Sequence, residues 1–201
     1  MIKDLRHYKR IFIIGNADNT APIENHIKED DFIVRFNKPN ESCPLKADCL
    51  FVANGAVVIA RRTHIFNQML KENCHVIWRY TLKDIFFAKY EKISLDRRLR
   101  ALLFFSSFKK INHLTQCAES YLDEDIQQTC TDLVGNDIPS SGFLAIYLFK
   151  QQYPHIPIYI HNFTFEGWSG HNWSKEETIV NEWIQHQQIF PASCIIQTQG
   201  N

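Results

Sequence analysis

Residues 10–16 read RIFIIGN, an unbroken apolar run rich in β-branched side chains that stops at Gly15 and Asn16. A strand covered on both faces has this composition, because neither face has to meet water. Working outward, the same pattern returns as DFIVRFN over 31–37, DCLFVAN over 48–54, CHVIWRY over 74–80 and IPIYIHNF over 156–163, with CIIQT over 194–198 as a last strand. Helices are predicted between them, over 56–71, near 95–108 and 114–130, over 140–152 and over 175–188. The 140–152 helix is apolar all round and is expected to be buried. The 175–188 helix carries Ser174 and Glu177 as an S-x-x-E capping box ahead of the stripe Ile179, Val180, Trp183 and Ile184. Alternating strands and helices predict an α/β fold, a Rossmann-like, mainly parallel sheet flanked by helices, as one domain over 1–201 with a short lid and catalytic loop at 163–174.

Composition narrows the function. Lys plus Arg and Asp plus Glu both number 22, so the chain lacks the basic excess of a nucleic-acid binder. Arg97, Arg98 and Arg100 are read as a solvated helix face, and Phe86, Phe87, Tyr90, Phe104, Phe105 and Phe108 as core. The opening MIKDLRHYKR is charged and contains no apolar h-region, and no apolar run reaches the roughly 18 residues that span a bilayer. The expectation is a cytoplasmic protein, compatible with peripheral association at the inner membrane. The six cysteines form no C-x-x-C pair or zinc-like spacing and are expected to be free thiols.

In an open parallel sheet, ligands bind outside the carboxyl ends of the strands. Those ends carry Gly15-Asn16, Arg35-Phe36-Asn37 and Asn54-Gly55. Asparagine both donates and accepts, so Asn16, Asn37 and Asn54 suit a pyrimidine edge or a sugar hydroxyl, and Gly15 lets backbone approach a ligand closely. Each asparagine taken singly is better explained as a strand terminator; three in succession favour a site. Pro139-Ser140-Ser141-Gly142 opens the buried helix, where free N–H groups, the helix dipole and two hydroxyls can hold a phosphate; simple capping by serine is compatible with that. The loop FEGWSGHNWSKE over 165–176 brings Trp168 and Trp173 as cover. It also brings His171, whose neutral imidazole can act as a general base, and Glu176, which can orient His171 or a ligand hydroxyl. The one D-x-D match, Asp123 to Asp125, falls in a polar stretch read as helical, which argues for chemistry without a metal.

These motifs resemble the sialyltransferase-like glycosyltransferases. Ile13-Ile14-Gly15-Asn16 with Asp31–Asn37 resembles the large sialyl motif, Pro139-Ser140-Ser141-Gly142 with the strand Ile158-Tyr159-Ile160 the small motif, and His171 to Glu176, H-x4-E, the very small motif. The likeness covers roughly residues 10–58 and 136–187. It departs from the bacterial pattern in its short stretch between Phe163 and His171, which contains no tyrosine.

The resemblance implies a GT-A-like variant of the Rossmann sheet. It also implies an inverting, metal-independent transfer of an acidic sugar, sialic acid or Kdo, from a CMP donor to a glycan hydroxyl in lipopolysaccharide or capsule. Gly15, Asn16, Arg35, Asn37, Asn54, Ser140, Ser141 and Gly142 would then hold the donor, His171 would deprotonate the acceptor, and no cofactor beyond the donor itself is called for. Two other readings stay open: a non-catalytic nucleotide- or sugar-binding domain derived from the same family, and a different enzyme on a Rossmann-like sheet, such as a nucleotide hydrolase.

Overall fold

A computed structural model describes residues 4–18, 21–55, 69–87 and 94–197. Its strands are β1 (Arg10–Ile14), β2 (Asp31–Phe36), β3 (Ala47–Val52), β4 (Leu70–Trp78), β5 (Ala118–Tyr121), β6 (Ile158–His161) and β7 (Phe190–Pro191). They form one seven-stranded sheet in the order β5-β4-β3-β2-β1-β6-β7, and every pairing is parallel. The helices are α1 (Leu82–Phe87), α2 (Leu95–Ile111), α3 (Glu124–Leu133), α4 (Ser141–Gln152), α5 (Trp173–Gln185) and α6 (Ser193–Gln197). This is the Rossmann-like α/β architecture that the sequence predicts.

The central strands are buried along their whole length because helices cover both faces. Ile11, Ile13, Val34, Phe36, Cys49 and Phe51 pack in one cluster with Phe143, Leu144, Ile146 and Phe149 of α4. Leu50, Val52, Val76 and Trp78 pack on the other side with Ala101, Phe105 and Phe108 of α2. Each buried Ile, Leu, Val or Phe among them contributes about 1.5–3 kcal/mol when removed from water, so α4 is anchored firmly with its first turn at the carboxyl edge of the sheet.

Several expectations are corrected. Residues 118–121, placed in a helix over 114–130, form edge strand β5; the segment AESY is mostly exposed and has no apolar run to announce it. The last strand is Phe190–Pro191, and Ser193–Gln197 is helical, so the strand predicted over 194–198 does not form. The helix predicted over 56–71 lies outside the described residues up to 68, and Leu70 and Lys71 already belong to β4. Helix α5 begins at Trp173, capped by Asn172, whose side chain accepts from Lys175 N; the Ser174–Glu177 box is therefore not its cap. Asparagine caps as well as serine does, and here it acts two residues earlier. Phe86 and Phe87 are exposed rather than core. All six cysteines are free, and among the described residues no helix is long and apolar enough to cross a membrane.

Candidate functional site

Strand order reverses at β1, which pairs with β2 on one side and β6 on the other. A crevice opens where the chains leaving β1 and β6 diverge, as parallel sheets require at such a switch point. It holds a cavity of about 680 Å³ lined by Gly15, Asn16, Asn37, Ser140, Ser141, Gly142, His171 and Trp173, all singled out from sequence.

The strand-end asparagines have a structural task first. Asn16 Nδ2 donates to Phe36 O at 3.1 Å. Asn37 Oδ1 accepts from Ala53 N at 2.8 Å. Asn54 donates to Tyr80 O at 2.7 Å and accepts from Tyr80 N at 2.8 Å. Each asparagine thus staples the exit of its own strand to the exit of the next, along β1 to β4. Asn16 and Asn37 still line the cavity. Asn54 is fully buried with both ends of its amide engaged and does not line it, which corrects its assignment as a donor ligand. Arg35 is also corrected. It lies buried on the opposite face, donating to the carbonyls of Asn40, Cys43 and Leu45, where it shapes the loop after β2.

The two glycines serve the protein's own close packing. A Cβ on Gly15 would stand 2.2 Å from Asn162 O, so glycine there lets the exits of β1 and β6 touch. A Cβ on Gly142 would stand 2.5 Å from the Phe163 ring.

Helix α4 opens on a fixed frame. Ser140 Oγ accepts from Phe143 N at 3.1 Å and donates to Glu176 Oε2 at 2.6 Å, while Ser140 N donates to Glu176 Oε1 at 2.7 Å. Its hydroxyl is therefore spent, and Ser141 keeps the hydroxyl available to a ligand, together with the first-turn N–H groups of Ser141 and Gly142. Glu176 is fully buried and grips Ser140; it touches neither His171 nor the cavity, so it is a positioning residue rather than a catalytic one. Burial pushes its carboxyl above the ordinary 4.5, against the bonds from Ser140 and the nearby Arg79 charge.

His171 is held from three sides. Its Nδ1 lies 2.6 Å from Ile138 O, and a carbonyl only accepts, so Nδ1 carries the proton and Nε2 keeps its lone pair. The rings of Trp168 and Trp173 stand edge-on to it, with centroids at 4.9 and 4.8 Å. Trp173 Nε1 donates to Trp168 O at 3.0 Å, which closes the loop, and Asn172 Nδ2 ties it to Asp137 at 2.9 Å. Trp168 is largely exposed and packs on His171 without lining the cavity. Burial, aided by the charge of Arg79, lowers the His171 pKa below 6.5, while the Ile138 bond opposes the shift. A neutral imidazole with a free nitrogen is what general-base work near pH 7 needs.

Sequence reasoning missed Asn162, which follows β6, lines the cavity and holds a left-handed backbone at φ 55°. The signal was present, since IYIH followed by Asn162 repeats the strand-then-asparagine pattern of Asn16 and Asn37. Among the described residues no group of three or more His, Cys, Asp or Glu side chains is placed to hold a metal, and Asp123 caps α3 through Asp125 N. No family model, curated protein or solved structure matches the chain.

Proposed function

We propose that the chain is an inverting, metal-independent glycosyltransferase that moves an acidic sugar, sialic acid or Kdo, from a CMP donor to a glycan hydroxyl. The observation that carries this is the meeting of Asn16, Asn37, the Ser141-Gly142 helix start and the free Nε2-bearing imidazole of His171 around one cavity. The CMP phosphate lies against the first turn of α4, where N–H groups and the Ser141 hydroxyl meet its charge. The acceptor oxygen attacks the anomeric carbon from the far side, and the bond from that carbon to the phosphate oxygen breaks. The acceptor proton passes to His171 Nε2, the electron pair leaves with CMP, and the configuration inverts.

A thermal-shift series with CMP, CDP, UDP and GDP tests the donor. CMP at a hundred times its Kd stabilises the native state by about 2.7 kcal/mol, and a response to UDP or GDP alone rejects the assignment. For the base, His171→Ala is expected to lower the transfer rate about 10²–10⁴-fold while CMP still binds. Because the His171 pKa is lowered in the folded protein, kcat/KM rises with pH through a midpoint below 6.5 and is lost under more acidic conditions. Unchanged turnover in the alanine variant removes His171 as the base, whereas CMP binding without transfer by the wild type from any CMP-sugar favours a non-catalytic nucleotide-binding domain.

A further inference from the structure

A second cavity, of about 570 Å³, opens beyond the carboxyl ends of β4 and β5, and its walls include Arg79, Thr81, Lys83, Asp84, Glu124 and Gln127. Arg79 follows β4 directly, and its backbone N–H donates to Val52 O at 2.9 Å, which fixes it at the rim of the sheet. The side chain is only 5% exposed, yet it forms no ion pair with any described residue. Nε donates to Gln127 Oε1 at 3.0 Å, and Nη2 has no hydrogen-bond partner. The guanidinium lies 5.0 Å from the Tyr80 ring centroid, which with the Gln127 bond offsets part of its lost hydration, but the buried Nη2 donor is left unmet and calls for an oxygen acceptor.

The acidic residues of the cavity do not meet that demand. Asp84 Oδ2 accepts from Thr81 N at 2.9 Å and from Thr81 Oγ1 at 2.7 Å, so it is committed to the start of α1. Glu124 is exposed at the first turn of α3, and Lys83 is exposed on α1. The charge of Arg79 also reaches the first site, where it disfavours protonation of His171 and favours the ionised carboxylate of Glu176.

We propose that this cavity is an anion subsite in which Arg79, supported by Lys83, receives a carboxylate or phosphate group carried by the acceptor glycan. That the anion arrives on an acceptor rests on the transferase assignment above; that the cavity binds an anion does not. A guanidinium meets either group with paired, charge-assisted hydrogen bonds. An acceptor anchored there would present its hydroxyl along the same rim that carries His171.

The test uses the whole chain as wild type, Arg79→Gln and Lys83→Ala; the exposed Lys83 position keeps the test decisive if the buried substitution impairs folding. Thermal stability is followed while sodium acetate or inorganic phosphate replaces chloride at constant ionic strength, with CMP present to occupy the first cavity. The wild type is expected to be stabilised and the variants to lose the response. Acetate as the stronger ligand points to a carboxylate acceptor, and phosphate to a phosphorylated one. Initial rates then compare acceptors that differ only in a carboxylate, a phosphate or a neutral group, and the wild-type preference for the charged one should fall about tenfold in the variants. If all three proteins respond alike to the anions, the subsite is overturned, even where transfer from a CMP-sugar is observed. If transfer fails with every CMP-sugar while the anion response disappears in the variants, the transferase assignment falls and the anion subsite stands.

Discussion

The two edges of the sheet treat polar groups in opposite ways. At the amino edge the buried carboxylates Asp31 and Asp48 are both paired. Arg10 meets Asp31 through Nε at 2.7 Å and Nη2 at 2.6 Å, and Asp31 also accepts from Lys28 N at 2.6 Å. Asp48 Oδ2 accepts from Ile33 N at 2.9 Å and from Lys71 Nζ at 2.8 Å. At the carboxyl edge the asparagines are spent on backbone, but Arg79 Nη2, His171 Nε2 and the first N–H groups of α4 have no protein partner among the described residues. The amino edge spends its buried carboxylates within the fold; the carboxyl edge keeps donors and a lone pair in reserve at its cavities. Native proteins rarely leave buried donors unmet, and the exceptions concentrate where a ligand completes them.

Removing a partner at each edge should therefore do different damage, and the largest effect on stability is expected at the amino edge. Asp31→Ala strands the Arg10 guanidinium in a largely buried position and is expected to cost about 3–5 kcal/mol. Urea denaturation reads the loss, and CMP affinity of the folded fraction should be unchanged. A loss under about 1 kcal/mol would mean that the pair behaves like a surface contact and that the contrast between the edges is weaker than drawn.

Glu176 tests the frame behind the reserve. Glu176→Ala leaves the buried Ser140 N–H unmet and is expected to cost about 2–3 kcal/mol. It should also weaken CMP binding, because the start of α4 loses its anchor. Glu176→Gln keeps one acceptor for Ser140 N and one donor for its Oγ, so it should recover most of both. The carboxyl titrates above its ordinary 4.5 in the folded protein, so the ionised form is disfavoured by folding. That penalty is fully present above the raised pKa and disappears as the pH falls toward 4.5. Measured against the Gln variant, the wild type should gain stability on acidification, and a parallel pH dependence of the two would remove burial as the dominant influence on this group.

The sequence was most legible where burial is complete. Strands β1 to β3 are almost wholly buried and, with helix α4, carry long apolar runs, a pattern with no competing explanation. It failed where an element is held by its neighbour alone. Strand β5 sits at the sheet edge with exposed side chains, and β7 is two residues long and ends on a proline. At the site, the helix start, the rim asparagines and His171 were found because each follows or opens a recognisable element. The roles of Glu176 and Arg79 were hidden, because each depends on a contact across many residues. Ser140 is 36 positions from Glu176, and Gln127 is 48 positions from Arg79. No local pattern specifies such a pairing.

The smallest expected effect separates stapling from binding within the asparagine series. Asn54 is buried and makes two bonds to Tyr80, so Asn54→Ala is expected to cost about 1–2 kcal/mol of stability and to leave CMP affinity alone. Asn37 makes one side-chain bond and holds φ at 47°, a left-handed backbone that asparagine tolerates and glycine adopts freely. Asn37→Gly therefore tests the side chain without straining the turn. It is expected to cost about 1 kcal/mol or less while weakening CMP binding, since this residue lines the first cavity and Asn54 does not. The two substitutions should thus rank in opposite orders by denaturation and by ligand titration. If both measurements rank them the same way, Asn37 belongs with Asn54 as a strand staple, and nucleotide recognition at this edge rests on Asn16, Asn162 and the first turn of α4.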